Sequence, residues 1–110
     1  MKEYNKLIRD NIDDIINNNG KNEFAVTRIL KYDEYKIELL KKLEEEFTEL
    51  KEAITSDNKE SIIEESADVI EVIRAINGDN LDLVMQKLED KRNKRGGFCK
   101  RKYLEVVKKI

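Results

Sequence analysis

The sequence predicts an all-α protein, a helical bundle protomer of about four helices, and three observations predict it. Apolar residues recur at three- and four-residue steps over long stretches, proline is absent, and Asn/Gly clusters fall where such stretches end. At 110 residues the chain has the size of a single domain, 1–110, which effectively excludes two independent ones.

The elements follow in chain order. Leu7, Ile8, Ile12, Ile15 and Ile16 sit at helical spacings between Lys6 and Asn19, and Asn17-Asn18-Asn19-Gly20 terminates them. Residues 23–30 (EFAVTRIL) nearly alternate apolar and polar, which predicts a short strand or an extended arm. Asp33 is a plausible N-cap for a long helix to about Ile54, with Leu40, Leu43, Phe47, Leu50 and Ile54 stepping by three and four. Thr55-Ser56-Asp57-Asn58 reads as a turn. Asp57 with Glu60 resembles a capping box, so a further helix starts near Asn58 and runs through Ile62, Ile63, Ile70 and Ile73 to Ile76, stopping at Asn77-Gly78. Asp79 can cap another helix over about Asn80–Arg95, ended by Gly96-Gly97. Residues 98–110 are basic and undecided between helix and strand.

Charge is the unusual part of the composition: 42% of residues are Asp, Glu, Lys or Arg, against about 25% in an average globular chain. With 39% hydrophobic residues, seven aromatics and no Trp, the core must come from Leu, Ile and Val. That is thin for a monomer and suits helices that bury narrow stripes against copies of themselves. The absence of His removes imidazole bases, Ser-His and Cys-His pairs and His-containing zinc sites. A lone Cys99 forbids an intrachain disulfide and fits a reducing compartment. No apolar run has membrane-spanning length and the N-terminus lacks a signal-peptide pattern, so the expected location is cytoplasmic, with no membrane partner.

The net charge of −2 hides two poles. Residues 33–71 carry 14 acids against 5 bases, and residues 87–110 carry 10 bases against 3 acids. On a helical wheel of residues 60–76, Glu65 falls inside a wide apolar arc between Val72 and Ile76, and Asp68 lies one step off its edge. A carboxylate buried without compensation costs several kcal/mol or becomes protonated, so an acid there calls for a cation, either a metal ion or a Lys/Arg. The preceding helix carries Glu44-Glu45-Glu46 and Glu49, with Glu46 bordering the Leu43/Phe47/Leu50 stripe. An antiparallel hairpin about the turn at residues 55–58 can bring Glu46 and Glu49 opposite Glu65 and Asp68. Four oxygen donors of that kind suit Mg²⁺, with Mn²⁺ as an alternative, better than zinc. A Glu run on a Lys/Glu-rich helix reads equally as a solvated face with pairs such as Glu38 and Lys42.

At the basic end, Lys91, Arg92, Lys94, Arg95, Lys100, Arg101 and Lys102 flank Gly96-Gly97-Phe98. Glycine-freed N–H groups and Arg forks make a phosphate grip. The same cations also read as a solvated helix end, or as a nucleic-acid patch that the net acidity disfavours. Phe98 can stack on a base, although closing the core is the commoner role.

Glu45-Glu46-x-x-Glu49, followed after 15 residues by Glu65-x-x-Asp68, resembles the EExxE…ExxD signature of the MazG-like all-α nucleoside triphosphate pyrophosphohydrolases. Two further segments, Tyr4-Asn5-Lys6-Leu7-Ile8-Arg9-Asp10 and Lys91-Arg92-x-x-Arg95-Gly96-Gly97-Phe98, resemble its phosphoribosyl-ATP pyrophosphohydrolase-like subgroup. Asn11 and Asp13 depart from the Lys and Pro common in that subgroup. The resemblance implies hydrolysis of a nucleoside triphosphate or related nucleotide to the monophosphate and pyrophosphate, as nucleotide-pool house-cleaning. It implies Mg²⁺ held by Glu46, Glu49, Glu65 and Asp68, with Glu45 orienting the attacking water or contacting a second ion. Lys6, Arg9, Lys91, Arg95, Gly96, Gly97 and Phe98 become candidates for binding the nucleotide, and a homodimer or homotetramer is implied. Phosphoribosyl-ATP hydrolysis in histidine biosynthesis and a non-catalytic nucleotide- or protein-binding helical oligomer are the alternatives.

Overall fold

The computed structural model describes residues 1–110 and contains four helices and no strand: α1 (Ile12–Asn17), α2 (Tyr32–Thr55), α3 (Lys59–Ile76) and α4 (Asp82–Arg95). The all-α expectation holds. No helix is long and apolar enough to cross a membrane.

The chain divides into two compact units, Met1–Asp79 and Asn80–Ile110. In the first, α2 and α3 form an antiparallel hairpin about the turn at residues 56–58. Asp57 takes a left-handed conformation with φ 55°, which disqualifies it as the cap the sequence suggested. Asn58 caps α3 instead, its side-chain oxygen accepting from Ser61 N–H at 3.1 Å. At the start of α2, Glu34 does the work expected of Asp33. Its Oε1 accepts from Lys31 N–H at 3.3 Å and its Oε2 from Arg28 Nη2 at 2.9 Å, so the helix begins at Tyr32.

Other boundaries are corrected as well. Only Ile12–Asn17 of the expected 6–19 helix is helical. Residues 23–30 have no strand partner, which leaves the extended arm. The α2 stripe is also displaced. Leu39, Glu46 and Ala53, at seven-residue intervals, are buried, Leu43 and Leu50 are half-buried, and Leu40, Phe47 and Ile54 are exposed. In α3, Val69 and Val72 complete the small buried seam.

In the second unit, α4 begins at Asp82, whose N–H donates to Asn80 Oδ1 at 2.8 Å. Asp79 has φ 63° and does not cap it. The helix ends where Gly96, at φ 82°, donates its N–H to Arg92 C=O at 2.8 Å. Residues beyond Gly97 form neither helix nor strand, and Phe98 is 98% exposed, so it closes no core within the chain.

Candidate metal centre

Glu46 and Glu49 lie one turn apart on α2, and Glu65 and Asp68 lie one turn apart on α3. The hairpin register brings these four together. Each offers one carboxylate oxygen, and the four oxygens lie within 4.8 Å of one another. At that separation two carboxylate charges repel by about 1 kcal/mol in bulk water and about 3 kcal/mol at an effective dielectric of 20.

Burial sharpens the conflict. Glu46 is only 7% exposed, and the other three are half-buried. Glu46 Oε2 and Glu65 Oε2 are both sealed from solvent with no hydrogen-bond partner. Desolvation, reinforced by Glu49, pushes the Glu46 carboxyl above its ordinary range, and desolvation likewise raises Glu49. Two orphaned buried oxygens on members of an all-carboxylate cluster make a donor set that fits a hard divalent cation.

Two side-chain cations partly offset the cluster. Lys42 Nζ lies 3.6 Å from Glu46 Oε1 and 3.6 Å from Glu45 Oε2. Arg9 Nη2 donates to Asp68 Oδ1 at 2.6 Å. With Glu45 sharing Lys42, five carboxylates face these two cations and leave a formal charge of −3, of which one divalent ion would neutralise two. A cleft of about 360 Å³ opens beside Glu49 and Glu65, continued by Glu52, Ala53, Ser56 and Ser61.

The remaining candidates are placed as follows. Glu45 is exposed, outside the group of four, and engaged by Lys42. Lys6 Nζ lies 5.8 Å from the Tyr4 ring centroid rather than on an acid of the cluster. Arg9 does reach the cluster, through a carboxylate. Lys91, Arg95, Gly96, Gly97 and Phe98 all belong to the second unit, at the end of α4 and the break that follows. There the Arg92 guanidinium lies against Gly97, where an added Cβ would stand 2.7 Å from Nη1. Lys42 is the residue that sequence reasoning missed. Glu38, the partner its spacing suggests, pairs instead with Lys41 at 3.2 Å, and the i,i+4 relation of Lys42 to Glu46 is the sequence signal for the pair that forms.

No protein-family model, curated protein or solved structure matches the chain.

Proposed function

We propose that this chain is a Mg²⁺-dependent nucleotide pyrophosphohydrolase of the MazG-like kind, with a homodimer or homotetramer as its working unit. The observation that carries the reading is the convergence of Glu46, Glu49, Glu65 and Asp68, two of them with orphaned buried oxygens. Those four are the residues that the EExxE…ExxD resemblance assigns to the metal, and Mn²⁺ is an acceptable substitute. A bound ion supplies charge neutralisation at the phosphates and a lowered water pKa, which a site without His needs.

The rest falls to the chain itself. Water adds at one phosphorus, the bridging α–β oxygen leaves with the other phosphoryl group, and the products are a nucleoside monophosphate and pyrophosphate. In this reading Glu45, which Lys42 engages, takes the role the resemblance gives it, orienting that water and taking its proton. Arg9 is the phosphate ligand already beside the site. Lys6 is a further nucleotide contact in this reading.

A panel of (d)NTPs and phosphoribosyl-ATP, with Mg²⁺ or Mn²⁺ and pyrophosphate detection, tests it. Turnover of at least one nucleotide, abolished by Glu49→Ala or Asp68→Ala, is expected. Well-folded protein that turns over none of them defeats the enzyme reading. A non-catalytic nucleotide- or protein-binding oligomer is favoured by one observation, the engagement of Glu45 by Lys42. It predicts thermal stabilisation by nucleotide without pyrophosphate release.

A further inference from the structure

The net acidity of the chain lies entirely in the first compact unit. The second, Asn80–Ile110, carries 10 bases against 4 acids, and its residues 91–104 hold seven cations and no acid. None of its side chains has a part in the proposed hydrolysis. No ion pair engages any of the seven cations. The dipole of α4 accounts for Arg92, Lys94 and Arg95, which lie in its last turn, because that effect fades within one turn. It leaves Lys100, Arg101 and Lys102, beyond the helix, without a structural reason.

Two features order this charge. Lys87, Lys91 and Arg95 recur every four residues, so they form one stripe along α4, about 12 Å long at 1.5 Å per residue. The stripe runs into the glycine break, where the Arg92 guanidinium lies against Gly97 in space that a Cβ would fill. Just beyond, Arg101 N–H donates to Phe98 C=O at 3.1 Å and closes a turn. Phe98, at the start of that turn, is 98% exposed, and Tyr103, two residues past its end, is 89% exposed. Both rings are therefore open to solvent on a segment rich in unpaired cations.

We infer that residues 87–103 bind single-stranded nucleic acid, with the cations tracking the phosphates and Phe98 and Tyr103 stacking on bases. Cations that follow a backbone, interleaved with exposed aromatic rings, are what an unpaired strand needs from a protein. The guanidiniums of Arg92, Arg95 and Arg101 add forked donors for phosphate oxygens. A duplex keeps its bases stacked on one another and offers these rings no faces. An anionic lipid surface would need an amphipathic helix, and residues beyond Gly97 form none. A free nucleotide has one base and one phosphate tail, so it uses only part of a surface with two rings and seven cations.

The test uses the full chain in chelator, so its outcome is separate from that of the pyrophosphohydrolase reading. Fluorescence anisotropy with a labelled oligothymidylate of about 20 nucleotides should show saturable binding. With about five phosphates neutralised, log K against log salt should have a slope of about −3.5, a loss of roughly 100-fold between about 50 and 200 mM salt. Combined Lys91→Ala and Arg95→Ala should make that slope shallower by about 1.4. Phe98→Ala and Tyr103→Ala should each weaken binding about tenfold and leave the slope unchanged. Both rings are exposed, so circular dichroism should be unaltered in these variants. Three outcomes overturn the inference: no binding at the lower salt, binding to heparin or to phosphatidylserine vesicles as tight as to the oligonucleotide, or displacement of the oligonucleotide by thymidine triphosphate at equal phosphate concentration. Binding that survives loss of both rings at full strength overturns it as well.

Discussion

Arg9 and Asp68, 59 residues apart, are joined by a 2.6 Å contact in which the guanidinium Nη2 donates to the carboxylate Oδ1. One of the four converging acids thus has a cation supplied by the chain, carried by an irregular segment ahead of α1. Both side chains remain partly exposed, so the pair is readily exchanged for other partners.

Arg9 therefore competes with a divalent ion for Asp68. Arg9→Gln should tighten Mn²⁺ binding several-fold, in line with an exposed pair worth about 0.2–1 kcal/mol, and titration calorimetry without nucleotide measures it. The same substitution should raise KM for nucleotide, because the phosphate ligand is lost. Arg9→Lys should restore less than half of that effect, since lysine lacks the fork.

Glu46→Gln removes a buried charge that Lys42 compensates only partly. Metal-free protein should melt a few degrees higher than the unsubstituted chain, and the stabilisation normally added by Mg²⁺ or Mn²⁺ should largely disappear. A thermal melt in chelator, repeated with each ion, provides both readings.

The carboxyls of Glu46 and Glu49 bind protons more tightly in the folded chain than in the unfolded one, mainly because burial disfavours their charged forms. These two groups contribute stability to the metal-free protein that is fully present below the ordinary carboxylate range and is lost as pH rises through the raised values. Divalent ion should reverse the slope, because it binds the deprotonated cluster. Denaturant midpoints measured from pH 4 to 8, with and without Mn²⁺, check the sign.

Asn58→Ala removes the oxygen that receives Ser61 N–H. It should cost about 1 kcal/mol of folding stability, read from urea unfolding, while Mn²⁺ affinity stays within twofold of the original.

Helix periodicity is a local property, which is why so much of the site was legible. The one-turn spacing of Glu46 to Glu49 and of Glu65 to Asp68, and the short turn between their helices, are contained in a few dozen consecutive residues. The anomaly of Glu65 within an apolar arc was equally visible, and its sealed Oε2 is the structural counterpart. Boundaries were less so. Asp33, Asp57 and Asp79 are all chemically competent caps, and the backbone used Glu34, Asn58 and Asn80 near those ends instead. Backbone angles choose among neighbouring polar residues, and composition does not reveal them.

By itself, then, the sequence determined an all-α chain, a helical hairpin and two pairs of acids each aligned on one face. Packing of the folded chain sets the rest: the pairs meet within 4.8 Å, Lys42 turns to Glu46 instead of Glu38, and Arg9 arrives from 59 residues away. It also decided that Leu39 and Ala53 go inward while Leu40, Phe47 and Ile54 stay outside. The physical reason is rotational. A helix with apolar residues over a wide arc can turn any part of that arc inward, and the choice depends on how the facing helix packs, which no single segment encodes.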